Sequence, residues 1–222
     1  MSVFAKAAPS ILQPPSQSDF NRMLGKRQKE LEKLIKRLAA GEIDVREWGD
    51  EFDKVLLEGH TQAWMMGRQR AGHLLGLGFD DTLNGVAIKD QEAEYLHGFM
   101  LDLINGRYDD EEGKLKVHLV NQRASLYVGR MRGTASESWV DYGPDDQKIQ
   151  WVMLALEHCN DCPRMAALSP WDKTDLWAFP GDGSTQCIGN CKCVLRREDG
   201  SESFRHPSTP ANAPDIPLRL AI

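Results

Sequence analysis

At 222 residues and a formal net charge of −6, the chain can form one large domain or two small ones, and it is not as a whole an obvious nucleic-acid binder. Its 41% hydrophobic and 27% charged residues suit a helical protein with a modest core, or one that buries surface against partners. No apolar run approaches the roughly 18 residues that cross a bilayer, so no membrane partner is expected.

The opening Met1-Ser-Val-Phe-Ala-Lys lacks the charged and apolar regions of a signal peptide, so cytoplasmic synthesis is expected. Residues 1–17 carry Pro9, Pro14 and Pro15 among Ser, Ala and Gln and read as an extended arm. Ser18 or Asp19 can cap a first helix, in which Phe20, Leu24, Leu31, Leu34, Ile35 and Leu38 recur at helical spacing until Gly41. Its polar face is basic, with Arg22, Lys26, Arg27, Lys29, Lys33, Lys36 and Arg37. A solvated face supported by pairs such as Glu32–Lys36 accounts for it better than a phosphate-binding surface.

Residues 44–76 predict one long helix with an apolar stripe through Trp48, Phe52, Leu56, Ala63 and Trp64, on which His60 and His73 are structural. Residues 76–85 predict a loop, and 89–105 a helix with Tyr95, Leu96, Phe99 and Leu103 inward. Asp109, Asp110, Glu111 and Glu112 read as the acidic start of a third long helix over 111–140, which carries Arg123, Arg130 and Arg132. Gly143-Pro144 breaks the chain. Residues 145–157 then predict a short helix, and Ser169-Pro170 a second helix start. Cys193-Val-Leu-Arg is strand-like, and the Ser- and Pro-rich stretch from 199 onward is another extended arm with an apolar end.

All five cysteines lie within residues 159–193, as His158-Cys159-Asn-Asp-Cys162 and Cys187-Ile-Gly-Asn-Cys191-Lys-Cys193. An odd count in a reducing compartment argues for metal rather than disulfides. A Cys-x2-Cys knuckle followed by a second close set is the spacing of a structural zinc site. The expected ligands are Cys159, Cys162 and Cys187, with either Cys191 or Cys193 as the fourth. His158, next to a ligand, is expected to point elsewhere. Four thiolates leave no open position for water, so the metal is structural and no enzymatic activity is expected. No His-x-Glu accompanies the cysteines, and Pro180-Gly-Asp-Gly-Ser-Thr185 lacks the Lys of a phosphate loop and reads as a turn.

The fold class expected is mainly α: a long-helix N-terminal part, a small irregular C-terminal zinc-knuckle subdomain and extended terminal arms. The divisions fall at 1–17, 18–143, 144–198 and 199–222. The order of features from about Arg123 to Leu195 resembles the phage Mu F-like minor head proteins, also called phage head morphogenesis proteins. It comprises the Arg-bearing helix, Trp151, Cys159-x2-Cys162, a Pro-Gly loop and the closing Asn190-Cys-Lys-Cys193. In that family the close usually runs Pro-x-His-x-Asn-Cys-Arg-Cys; here Cys187 stands near the position of the His, and Lys192 replaces Arg. The resemblance implies a non-enzymatic virion protein near the portal vertex, in multiple copies around a ring. It would contact portal and capsid proteins and act in head assembly, DNA packaging or ejection. DNA is left open as a further partner. The alternative is a zinc-stapled DNA-binding module that uses the 22–37 helix or Arg123, Arg130 and Arg132.

Overall fold

The computed structural model describes residues 13–154, 156–210 and 212–216. Most of the proposed N-terminal arm and the apolar end beyond Ile216 therefore lie outside the described residues. The rest is mainly helical, with a small strand-containing C-terminal region.

Four long helices come first: α1 (Gln17–Ala39), α2 (Val45–Arg70), α3 (Phe79–Ile104) and α4 (Val117–Asp141). Ser16 and Asp44 cap the first two. In each case the acidic residue three positions on, Asp19 or Glu47, returns a bond to the cap backbone N–H. The cap of α1 thus precedes the expected Ser18 or Asp19. Helix α2 packs along α3 and α4, and α1 lies against α2 and α4. Phe20, Leu31, Ile35, Trp48, Phe52, Leu56, Phe99 and Met131 are almost fully buried in the shared core. Trp48, Phe52, Phe99 and Tyr127 meet edge-to-face or stacked there.

The long helix expected over 44–76 ends at Arg70, and α3 begins at Phe79, inside the stretch expected to be loop. One buried charge pair explains both boundaries. Arg68 donates from Nε and Nη2 to Asp81 at 2.9 and 2.8 Å, and also to the carbonyls of His73 and Gly76. Asp81 in turn accepts from the Gly78 N–H, so it caps α3 while Arg68 stitches the connection.

The acidic run 109–112 does not start a helix. Asp110 Oδ1 accepts from the backbone N–H of Glu112 and Lys114, which closes a turn, and α4 begins only at Val117. The helix expected over 145–157 is replaced by strand β1 (Lys148–Val152). The alternation of buried Ile149 and Trp151 with exposed Gln150 has period two, which a helix cannot satisfy. Strand β1 is the centre of a three-stranded antiparallel sheet, between β2 (Trp171–Asp172) and β3 (Val194–Arg197). Ser169-Pro170 is a cis peptide leading into β2, not a helix start. A short helix, α5 (Asp161–Ala167), lies between β1 and β2.

This C-terminal region has its own apolar cluster, built on Trp139, Ile149, Trp151, Met165, Leu176 and Leu195. Helix α4 serves both clusters, with Tyr127 and Met131 in the first and Trp139 and Val140 in the second. Residues 199–210 and 212–216 are largely irregular and lie along the body. Phe204 is fully buried and stacks on Phe20 with ring centroids 4.1 Å apart, under the guanidinium of Arg70. The Gln17 side chain and the Arg205 backbone exchange two hydrogen bonds, at 2.8 and 2.9 Å. Phe204→Ala is expected to lower stability by about 3–5 kcal/mol, read from denaturant midpoints, because a stacked core ring leaves a cavity.

Candidate metal centre

Three pieces of backbone deliver the cysteines. The chain leaves β1, turns at Leu156, whose N–H bonds Leu154 O, and enters α5 with Cys159 just before it and Cys162 in its first turn. A 3₁₀ turn (Ile188–Asn190) sets Cys187 before it and Cys191 after it. Cys193 immediately precedes β3.

The turn at Ile188–Asn190 is pressed against α4. A Cβ on Gly133 would lie 2.3 Å from Asp182 Cα, and one on Gly129 would lie 2.9 Å from Gly189 O. Gly129 therefore makes the seat for the second cysteine segment, and Gly133, four residues on along α4, the seat for the loop at Asp182 that leads into it. Ile188 has φ of 52°, a left-handed conformation that a β-branched residue adopts only when its surroundings impose it. Gly129→Ala is expected to cost about 1–3 kcal/mol by overpacking against Gly189, and to raise the accessibility of the cysteines to a thiol reagent in the native protein.

All five cysteines are free thiols. Cys162 is the centre of the group: its Sγ lies 3.5 Å from Cys159 Sγ, 3.9 Å from Cys187 Sγ and 3.7 Å from Cys191 Sγ. These separations are far beyond the roughly 2.05 Å of a disulfide. They match the roughly 3.8 Å edge of a tetrahedron of thiolates about 2.3 Å from a zinc ion. Cys162, Cys191 and Cys193 are buried, and Cys159 and Cys187 are half-buried.

His158 also belongs to the cluster, contrary to expectation. Its Nε2 lies 2.6 Å from the Leu154 carbonyl, which makes Nε2 the protonated nitrogen, and Nδ1 faces Cys193 Sγ at 3.4 Å. A backbone carbonyl that holds one ring nitrogen while the other turns to the metal is the usual way a histidine ligand is oriented. Sequence adjacency to Cys159 hid this, because the ring is oriented by the Leu154 carbonyl, four residues back. Two triads result: Cys159, Cys162 and Cys187, and His158, Cys162 and Cys193. In each, the ligand atoms lie within 4.8 Å of one another.

The thiols perturb one another strongly. Hydrogen bonds from Cys191 and Cys193, with burial, push the Cys162 thiol far above the ordinary range. Cys191 is held down to about 2 by the Cys162 and Cys193 thiols and by the guanidinium of Arg132. Such a group cannot ionise together without a cation, which is the condition a bound metal meets. Arg132 is itself buried and donates to the carbonyls of Cys191 and of Cys193, the latter at 3.0 Å. The Cys193 thiol is lowered by its bond to Cys162 and by the indole N–H of the buried Trp151, but Cys191 and burial push it up on balance.

The arginines that the DNA-binding alternative would turn to phosphate have partners within the protein. Arg132 is under the cysteine cluster. Arg130 pairs with the buried Glu92 at 2.8 Å, within a polar group that includes His60 and Thr134. Arg123 lies over the Phe99 ring. On α1, Arg22, Lys26, Arg27 and Arg37 pair with Asp19, Glu30, Glu58 and Glu51.

Fold and site together define a mainly helical protein with a buried Cys/His cluster that could hold a metal ion. Comparison with known proteins finds no family model, no curated protein and no solved structure that matches the chain.

Proposed function

We propose that the protein is a structural component of a bacteriophage head, of the minor head type. It would act in head assembly, or in DNA packaging or ejection, at the portal vertex, with its C-terminal region stapled by zinc. The observation that carries the metal part is the gathering of five thiols and a carbonyl-oriented imidazole around Cys162, whose Sγ lies at tetrahedral-edge distance from three other thiols. Soft thiolates favour zinc over calcium or magnesium. Every donor position is filled from the chain, which supports a structural role and no catalysis.

The assembly part rests on the residue order from Arg123 to Leu195, which resembles that of the minor head proteins. The surface adds support: Leu75, Leu77, Phe79 and Leu83 are exposed together around the α2–α3 connection, as an apolar patch that a neighbouring subunit would cover. Portal and capsid proteins are the proposed neighbours, in multiple copies around a ring, and the virion is the proposed location.

Co-expression with a portal protein tests this reading. Co-purification with the portal ring at a fixed small ratio is expected, and Phe79→Asp should weaken it. A protein that stays apart from portal and capsid, and instead binds duplex DNA with a steep salt dependence, would favour the DNA-binding alternative.

A further inference from the structure

One zinc ion uses four donors, yet six converge here. They are not a loose surplus around one point. They form two triads that meet only at Cys162, and the buried Cys191, which belongs to neither triad, stands 3.7 Å from that shared sulfur as a second thiol at the junction.

We propose that the centre is binuclear. Cys159 and Cys187 are the terminal ligands of one zinc ion, Cys193 and His158 Nδ1 those of a second, and the thiolates of Cys162 and Cys191 bridge the two. This rests on the metal reading above and goes beyond it in stoichiometry and in ligand roles.

Three independent features converge on it. The first is coordination. Two tetrahedral ions need eight positions, and six donors fill all eight when two of them bridge. With a single ion on Cys159, Cys162, Cys187 and Cys191, the Cys193 thiol and His158 Nδ1 would be left facing only each other.

The second is placement. Cys162 sits between the two triads, where a bridging sulfur has to be, and it is fully buried. The terminal donors Cys159 and Cys187 lie on the half-buried side, while Cys193 and His158 lie on the side towards β3 and Leu154.

The third is charge. Five thiolates around one dication carry roughly −3, which is costly to bury; a second dication reduces this to about −1. The buried Arg132 guanidinium, bonded to the carbonyls of Cys191 and Cys193, supplies the matching single positive charge.

The test uses the full chain, reconstituted with zinc under reducing conditions, freed of unbound metal by gel filtration and weighed by native mass spectrometry beside elemental analysis. Two zinc ions per chain are expected. One per chain overturns the binuclear centre and leaves the zinc staple standing; none overturns both. Iron with visible charge-transfer absorbance, in place of zinc, also overturns both.

Cadmium-113 substitution assigns the ligands. Two resonances are expected, one for an all-sulfur site and one for a site of three sulfurs and a nitrogen, coupled through the bridging thiolates. His158→Ala should remove or shift the second resonance and lower the metal count, while His158→Cys should restore two ions and make both sites all-sulfur. A His158→Ala protein that keeps both resonances unchanged would overturn the assignment of Nδ1.

Discussion

Cys162→Ser is expected to abolish metal binding and to unfold the region from 158 to 197, while the four long helices persist. Cys162 is the one residue common to both triads, and its sulfur also touches Cys191. A serine hydroxyl is a poor zinc ligand, and the binding energy of a structural site is folding energy. The expected loss exceeds about 4 kcal/mol for the C-terminal region. It would be measured as metal content near zero and loss of near-ultraviolet signal from Trp151 and Trp171, with far-ultraviolet helicity largely kept. Cys159→Ser, at the half-buried edge, should cost less. Equal effects from the two would contradict a central role for Cys162.

Arg132→Met is expected to be nearly as damaging, although Arg132 is no ligand. Its side chain is buried, and its Nη atoms hold the carbonyls of Cys191 and Cys193. Methionine keeps much of the volume and removes the charge and both hydrogen bonds. Two carbonyls then lose their donor, and the thiolate cluster loses its buried counter-charge. Breaking a buried charge arrangement from one side typically costs about 3–5 kcal/mol. Metal affinity, measured by competition with a chelator, should fall by at least about 10-fold, as for other residues that support ligands from behind. Arg132→Lys should recover part of the charge term but not the two-carbonyl fork, so it should fall between wild type and Met. A stable Arg132→Met protein with unchanged metal affinity would show that the charge is balanced elsewhere.

The four-helix core was legible because its signals are local. Phe20, Leu31 and Ile35 recur at helical spacing, and Trp48, Phe52 and Leu56 do the same. Boundaries set by tertiary contacts were not. The end of α2 depends on Arg68 reaching Asp81 across a loop, and no window of sequence carries that pairing. Strand β1 was hidden because the apolar run Trp151-Val-Met-Leu154 also suits a helix and outweighed the short alternation at 149–151; pairing with Val194–Arg197 selects the extended form. In the site, the spacing of Cys159 and Cys162 pointed to a shared ligand cluster. The orientation of His158 depends on the Leu154 carbonyl and could be known only from the folded chain. Arg132 read as one basic residue among three, since burial beneath the cysteine segment leaves no mark on composition.

Because α4 belongs to both apolar clusters, its stability against local opening should vary along its length. Tyr127 and Met131 are clamped by the helical core, whereas Trp139 and Val140 are covered by the cysteine-bearing region and β1. Amide protons near residue 124, ahead of the seat of the cysteine segment at Gly129, would therefore exchange only through global unfolding, with or without metal. Those near residue 139 would exchange as slowly in the metal-loaded protein and many times faster after chelation. The helix then acts as a built-in gauge, whose C-terminal half reports whether the distant metal ligands are engaged.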